Sequence, residues 1–206
     1  MQNRNFPHSQ VANCQLPIME KTIWPGSTQL APSPVVLVGT GDGRRFPWNL
    51  LTVAWAGTLS SDPPIVGIGV RPSRFSYRAL KELRCFTVNL PTAAMAETVD
   101  FCGVASGADT DKFAVRKLTA VKASKIVAPL VAECPLSLEC AVRQVVSLGS
   151  HDLFLGEVIA VQVTSDLIDD KGHLDLEKAN LLAYAHGHYY SLGKELGHFG
   201  FSVRKK

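Results

Sequence analysis

Residues 49–77, NLLTVAWAGTLSSDPPIVGIGVRPSRFSY, decide how this chain folds. Asn49 to Ala56 reads as a strand, Asp62, Pro63 and Pro64 interrupt the ladder, and Ile65 to Val70 resumes as a second, apolar strand. In the first half stand Asn49, Thr52, Ala54 and Trp55, where small residues let a flat ligand approach the backbone and an indole covers one of its faces. In the second half Arg71, Ser73, Arg74, Ser76 and Tyr77 mark the strand exit and the start of a helix expected over Ser73 to Leu83. Free N–H groups, hydroxyls and guanidinium forks gathered there favour an anion. The glycines at 67 and 69 mark a bend or a close approach of backbones.

Upstream, Val35 to Val38 is a continuous apolar run ended by GTGDG, which predicts a buried strand, a tight turn and a hairpin. The glycines at 39, 41 and 43 lack the G-x-G-x-x-G spacing, and RRFPW does not open a helix, so a plain turn is expected rather than a phosphate cradle. Downstream, Phe86 to Leu90 is a further strand, and Thr92 is an N-cap for a helix through Met95 to Val104. Ser106 to Asp111 reads as a polar, glycine-bearing loop that a ligand would order. Leu136 to Val146 and Leu153 to Val163, separated by Gly149, Ser150 and His151, predict an antiparallel pair. Leu167 to Leu176 is rich in turns, and Ala183 to Gly197 shows little regular periodicity. Six or seven strands with helices inserted in the middle predict a mainly β (β+α) fold, a small closed barrel with helical additions.

The order of clasp, strand, Asp-Pro-Pro, strand and Arg-Pro-x-Arg-x-Ser-Tyr resembles the flavoredoxin branch of the flavin reductase-like, FMN-binding split-barrel family. FTVNLP (86–91), SGADTDKF (106–113), PLSLEC (135–140) and HYYSLGKELG (188–197) follow in that family's order, so the resemblance covers about residues 31 to 204. It sharpens the fold to an FMN-binding split β-barrel with inserted helices and implies FMN as cofactor. It also implies a homodimer in which a second subunit closes the flavin slot. By the same resemblance Thr52, Ala54 and Trp55 line the ring and ribityl chain, while Arg71, Ser73, Ser76 and Tyr77 surround the phosphate. Ser106, Lys112 and Phe113 belong to the matched loop, and His188 and Tyr190 stand where the family's C-terminal segment approaches the flavin.

Flavin mononucleotide needs a slot for a flat ring, donors for its polar edge and a cationic pocket for its phosphate, and residues 49–77 offer all three. Each residue also has a plainer reading. Arg71 suits a phosphate or a surface salt bridge, and Trp55 suits a ring wall or ordinary core packing. Asn89 holds a ring edge or ties down a turn. Lys112 balances ligand charge or is a solvated loop lysine. His186 and His188 have an i, i+2 spacing without an accompanying carboxylate or thiol signature, so no metal is expected. No Ser-His-Asp order, HExxH or Walker sequence is present, and no catalytic side chain is singled out, because a flavin accepts a hydride itself. The reading is an FMN-dependent oxidoreductase drawing electrons from NAD(P)H or a reduced protein. The alternatives are a non-enzymatic electron-transfer module and a split-barrel oxidase acting on another phosphorylated ring.

The remaining features bound these readings. A chain of 206 residues can bury a full core, and 46% hydrophobic with 19% charged residues is the balance of a globular protein. A net charge of +3, with no basic cluster longer than Arg204 to Lys206, argues against a nucleic-acid surface. Five cysteines without CxxC spacing predict reduced thiols in a cytoplasmic protein. No apolar run approaches the roughly 20 residues that span a bilayer, so no membrane partner is expected. Residues 1–20 read as an N-terminal extension, either disordered or an arm reaching a partner subunit, without the pattern of a secretory signal, and 21–206 as the domain. Met19 is a candidate native start.

Overall fold

The computed structural model describes residues 16–203. Its strands are β1 (Ser33–Pro34), β2 (Val36–Thr40), β3 (Asn49–Val53), β4 (Ala56–Ser61), β5 (Pro64–Val70) and β6 (Cys85–Leu90) in the first half. The second half adds β7 (Ala120–Lys122), β8 (Pro129–Val131), β9 (Leu136–Ser147), β10 (Asp152–Val163), β11 (Leu182–Ala185) and β12 (His188–Ser191). Three short α-helices are inserted, α1 (Tyr77–Leu83), α2 (Ala96–Val104) and α3 (Lys112–Val115). Seven strands form one curled sheet in the order β3-β2-β6-β9-β10-β5-β4, every neighbour antiparallel.

The apolar run at Val35 to Val38 is continuous because both faces of that segment are covered. Val36 and Val38 join Ile68, Phe86 and Phe154 inside the curl, while Val35 and Leu37 join Val99, Cys102 and Val131 under α2 and β8. Curling requires local relief of the ladder, and register shifts occur in β9–β10 at Leu155/Gly156 and Val158/Ala160 and in β4–β5 at Thr58/Ser60. At Gly156 a Cβ would stand 2.6 Å from Phe86 Cζ, so glycine lets that phenyl ring fill the interior.

Three expectations are corrected. The run from Asn49 to Ala56 is two strands, because the chain turns a corner at Ala54 and Trp55 and pairs with β5 instead of β2. The helix expected from Ser73 starts at Tyr77, since residues 72–76 are spent in turns after Pro72. Ala183 to Gly197 contains the β11–β12 hairpin, whose two-residue turn places His186 and Gly187 at φ of 47° and 88°. With β1 this hairpin forms a separate three-stranded sheet.

Cys85, Cys102, Cys134 and Cys140 are buried free thiols, and burial pushes the Cys140 thiol up to about 12. Cys14 lies outside the described residues, as does most of the 1–20 extension. From residue 16 to 31 the chain carries no regular secondary structure and leaves Ile18, Ile23 and Trp24 largely exposed. Among the described residues no helix is long and apolar enough to cross a membrane.

Candidate functional site

Where β3 ends and β5 exits, two adjoining cavities open. The corner at Ala54–Trp55 lies flat on β5 because Gly69 has no side chain: its N–H donates to the Trp55 carbonyl at 2.7 Å, and a Cβ there would meet Trp55 Cβ at 3.1 Å. The larger cavity, about 330 Å³, is walled by Thr52, Ala54 and Trp55 on one side and by Gly69, Val70 and Arg71 on another. His151 and Tyr184 also line it. The smaller, about 230 Å³, is lined by Asn49, Ser73, Ser76, Ser106, Gly107 and Lys112. Leu51, Arg71 and Arg74 border both, so the two form one trough. Among the described residues its lining includes Arg71, Arg74 and Lys112 and no Asp or Glu.

Buried polar groups shape the smaller cavity. Asn49, 5% exposed, donates from Nδ2 to Ser76 Oγ at 2.8 Å, and Thr40 Oγ1 donates to the same oxygen at 2.9 Å. Gly107 crosses so closely over Asn49 that a Cβ would sit 2.4 Å from Oδ1, which explains the glycine in this loop. Asp111 caps α3 by accepting from the Ala114 N–H at 3.1 Å, and the next residue, Lys112, turns inward. Lys112 is 3% exposed, and its Nζ donates to the carbonyls of Leu50 and Cys102, both at 2.7 Å. Burial, reinforced by Arg74, holds its pKa below the ordinary lysine value. It is therefore a buried clamp between β3 and α2 that also faces the cavity, rather than a solvated loop lysine.

Of the residues singled out in the sequence, Thr52, Ala54, Trp55 and Arg71 meet at the larger cavity. Asn49, Arg71, Ser73, Ser76, Ser106 and Lys112 meet at the smaller. Thr52 spends its hydroxyl proton on the Val99 carbonyl, so it offers the cavity shape rather than a donor. Arg74, grouped in the sequence with Arg71 at the strand exit, borders both cavities and is held by a bond from Nη1 to the Gly103 carbonyl at 3.1 Å.

Five others line neither cavity. Tyr77 points the opposite way from Ser76, donating its hydroxyl to the Asp152 carboxylate and standing edge-on to Phe154 with ring centroids 5.7 Å apart. Asn89 is fully occupied: it donates to Leu37 O at 2.9 Å and Thr87 Oγ1 at 3.0 Å, and accepts from Val131 N at 3.0 Å and Ser137 Oγ at 2.8 Å. Four bonds exhaust what an amide offers. Phe113 packs into the apolar cluster under α2. His188 and Tyr190 lie exposed on β12, and the residue of that small sheet that reaches the larger cavity is Tyr184 on β11. Tyr189 pins the sheet to α2 through Asp100 Oδ1 at 3.1 Å.

Sequence reasoning missed Thr40, His151 and Tyr184. Thr40 sat inside a glycine turn and Tyr184 in a stretch without clear period. His151 followed Gly149 and Ser150 in what reads as a bare hairpin turn. Burial, followed by the charges of Arg71 and Arg74, holds the His151 pKa below the ordinary histidine value, so a neutral imidazole faces the cavity at neutral pH. The whole arrangement can hold an elongated ligand with a flat part beside Trp55 and an anionic end beside Arg71 and Lys112.

A sequence model of the flavin reductase like domain matches residues 28–193. The flavoredoxin of Desulfovibrio vulgaris (Miyazaki F) is 33% identical, with a TM-score of 0.82 over 90% of this chain and 99% of that one. An FMN-binding protein from Thermus thermophilus, solved with bound 1-cyclohex-2-enone, is 26% identical, with a TM-score of 0.72 over 89% of this chain and 99% of that one. An NADH-dependent FAD reductase of Streptomyces globisporus is 30% identical over 126 residues, 61% of this chain and 65% of that protein. The matched part of this chain spans 64% of the length of one 35% identical curated relative, 76% of a second and 50% of a third.

Proposed function

The chain belongs to the family of flavin reductase-like domains, and from that premise we propose that its trough holds FMN and that it is an FMN-dependent oxidoreductase, passing electrons from NAD(P)H or a reduced protein to an acceptor. The observation that carries this reading is the charge of the smaller cavity. Arg71, Arg74 and Lys112 converge there with the hydroxyls of Ser73, Ser76 and Ser106, and among the described residues no carboxylate lines the site. A phosphate monoester is the anion such a donor set fits.

The rest of the trough suits the remainder of that cofactor. Trp55 and the small Ala54 leave a slot against the Gly69 backbone, and the larger cavity alone falls in the usual range for small-molecule sites, roughly 300 to 1,000 Å³. When bound, the flavin ring supplies the redox chemistry. This chain's part is placement: Arg71 and Arg74 anchor the charged end, Trp55 limits water at the ring, and neutral His151 offers a hydrogen-bonding group at the open side.

Two measurements test the reading. Arg71→Ala should weaken FMN binding by roughly tenfold or more, since a hydrogen bond to a charged group contributes about 1.5 to 3 kcal/mol. Unchanged affinity by fluorescence titration removes Arg71 from the site. For the reaction, anaerobic mixing of FMN-loaded protein with NADH or NADPH should bleach the flavin absorbance near about 450 nm, with turnover once an acceptor is added. Bleaching by a reduced partner protein alone assigns an electron carrier instead. A protein that takes up no flavin sinks both.

A further inference from the structure

On the reading of the smaller cavity as the phosphate end, its hydrogen bonds reach a residue outside its lining, Thr40. Ser76 is 2% exposed, and its hydroxyl makes no capping bond to α1. Its oxygen instead accepts from Asn49 Nδ2 at 2.8 Å, a direction fixed because an amide nitrogen only donates. It also accepts from Thr40 Oγ1 at 2.9 Å. The cavity sets that second direction: Thr40 and Ser76 are equally buried, but Ser76 lines the cavity and Thr40 does not, and among the described residues the Thr40 hydroxyl has no other partner. Reversing the bond would strand the Thr40 proton, at a cost of about 1 to 3 kcal/mol.

With both lone pairs of Ser76 engaged, its own hydrogen is left over, and the space beside it is the smaller cavity. Thr40 and Asn49 are paired across β2 and β3, so one rung of the sheet delivers both donors to Ser76. Lys112 repeats the pattern: an ammonium has three hydrogens, two are spent on Leu50 and Cys102, and one is left over on a residue that lines the same cavity.

We infer that Thr40 is a positioning residue for phosphate recognition, holding the Ser76 O–H turned into the cavity as an obligate donor. The site then demands an acceptor at that point. It favours a fully ionised phosphate monoester over a protonated one, and over riboflavin, which ends in a hydroxyl.

The test compares FMN and riboflavin binding by fluorescence titration in Thr40→Val, which keeps shape and deletes the donor, and in Thr40→Ser, which keeps the hydroxyl. Thr40→Val should lose about twofold to threefold in FMN affinity, since it removes the bond that orients and polarises the Ser76 O–H but not that donor itself, and leave riboflavin unchanged, with Thr40→Ser near the parent for both. A double-mutant cycle guards against a general loss of fold, because Thr40→Val added to Ser76→Ala should weaken FMN no further. Unchanged FMN affinity in Thr40→Val, equal losses for the two flavins, or additive losses in the cycle overturn the assignment. If the parent protein binds neither flavin, the FMN reading itself falls and takes this inference with it.

Discussion

Lys112→Met is expected to lower folding stability by about 3 kcal/mol and FMN affinity by roughly 10- to 100-fold at once. The stability loss has a specific origin. Methionine fills a similar volume but leaves the carbonyls of Leu50 and Cys102 without the donor that now reaches each at 2.7 Å. Unpaired buried acceptors cost about 1 to 3 kcal/mol each, partly relieved where water enters from the cavity. For a chain of this size the midpoint of thermal unfolding should fall by about 6 to 12 °C. The affinity loss arises because one of three cations lining the trough is gone. Riboflavin separates the two effects, since a ligand without phosphate should be hurt far less than FMN. If both flavins weaken to the same degree, Lys112 is only the clamp between β3 and α2, and its third hydrogen has no part in holding the phosphate.

Glu139→Gln should destabilise the fold by about 3 kcal/mol without touching flavin affinity. Glu139 is fully buried in β9, where its carboxylate accepts from the Ser124 N–H and hydroxyl, both at 2.8 Å, from the Lys125 N–H at 2.7 Å and from Gln162 Nε2 at 2.8 Å. It thereby ties the segment between β7 and β8 to the sheet. A glutamine presents an NH₂ where one carboxylate oxygen stood, so at least one donor faces another donor. The pH dependence should carry a signature of its own. Burial is the largest single influence and pushes this carboxyl up, but the four hydrogen bonds together outweigh it and hold the pKa below the ordinary glutamate value. A depressed carboxylate contributes stability that is present above the unfolded value, about 4.3, and is lost as pH falls through the folded one. The gap between parent and variant, measured by urea unfolding, should therefore be full near pH 7 and narrow as the pH drops below about 4. A gap that is constant with pH would mean that the carboxylate charge is not what holds the segment.

Much of this architecture is written locally. Alternation and β-branching in Leu136 to Val146 and Leu153 to Val163 predict the β9–β10 pair because a strand's period is visible in its own residues. The proximity of Arg71, Ser73 and Ser76 was legible for the same reason: three residues within six positions cannot separate once a tight turn follows β5. Direction was harder. Ser76 and Tyr77 are neighbours in the chain, yet one faces the cavity and the other reaches Asp152, 75 positions away, and only the placement of β10 decides between them.

What only the tertiary structure decided are contacts across long separations. Lys112 meets Leu50 over 62 positions, Thr40 meets Ser76 over 36, and His151 and Tyr184 arrive at Trp55 from a hairpin turn and a separate small sheet. Asn89 shows the converse, a polar residue in a suggestive motif whose amide is consumed by Thr87 two positions away and by three partners 42 to 52 positions away. The sequence by itself determined that strands form, where they turn and that cations gather after β5, because period, turn chemistry and charge act over a few residues. Which polar groups remain unspent, and so face a ligand, was decided by register and burial, since a hydrogen bond's availability depends on every neighbour that competes for it.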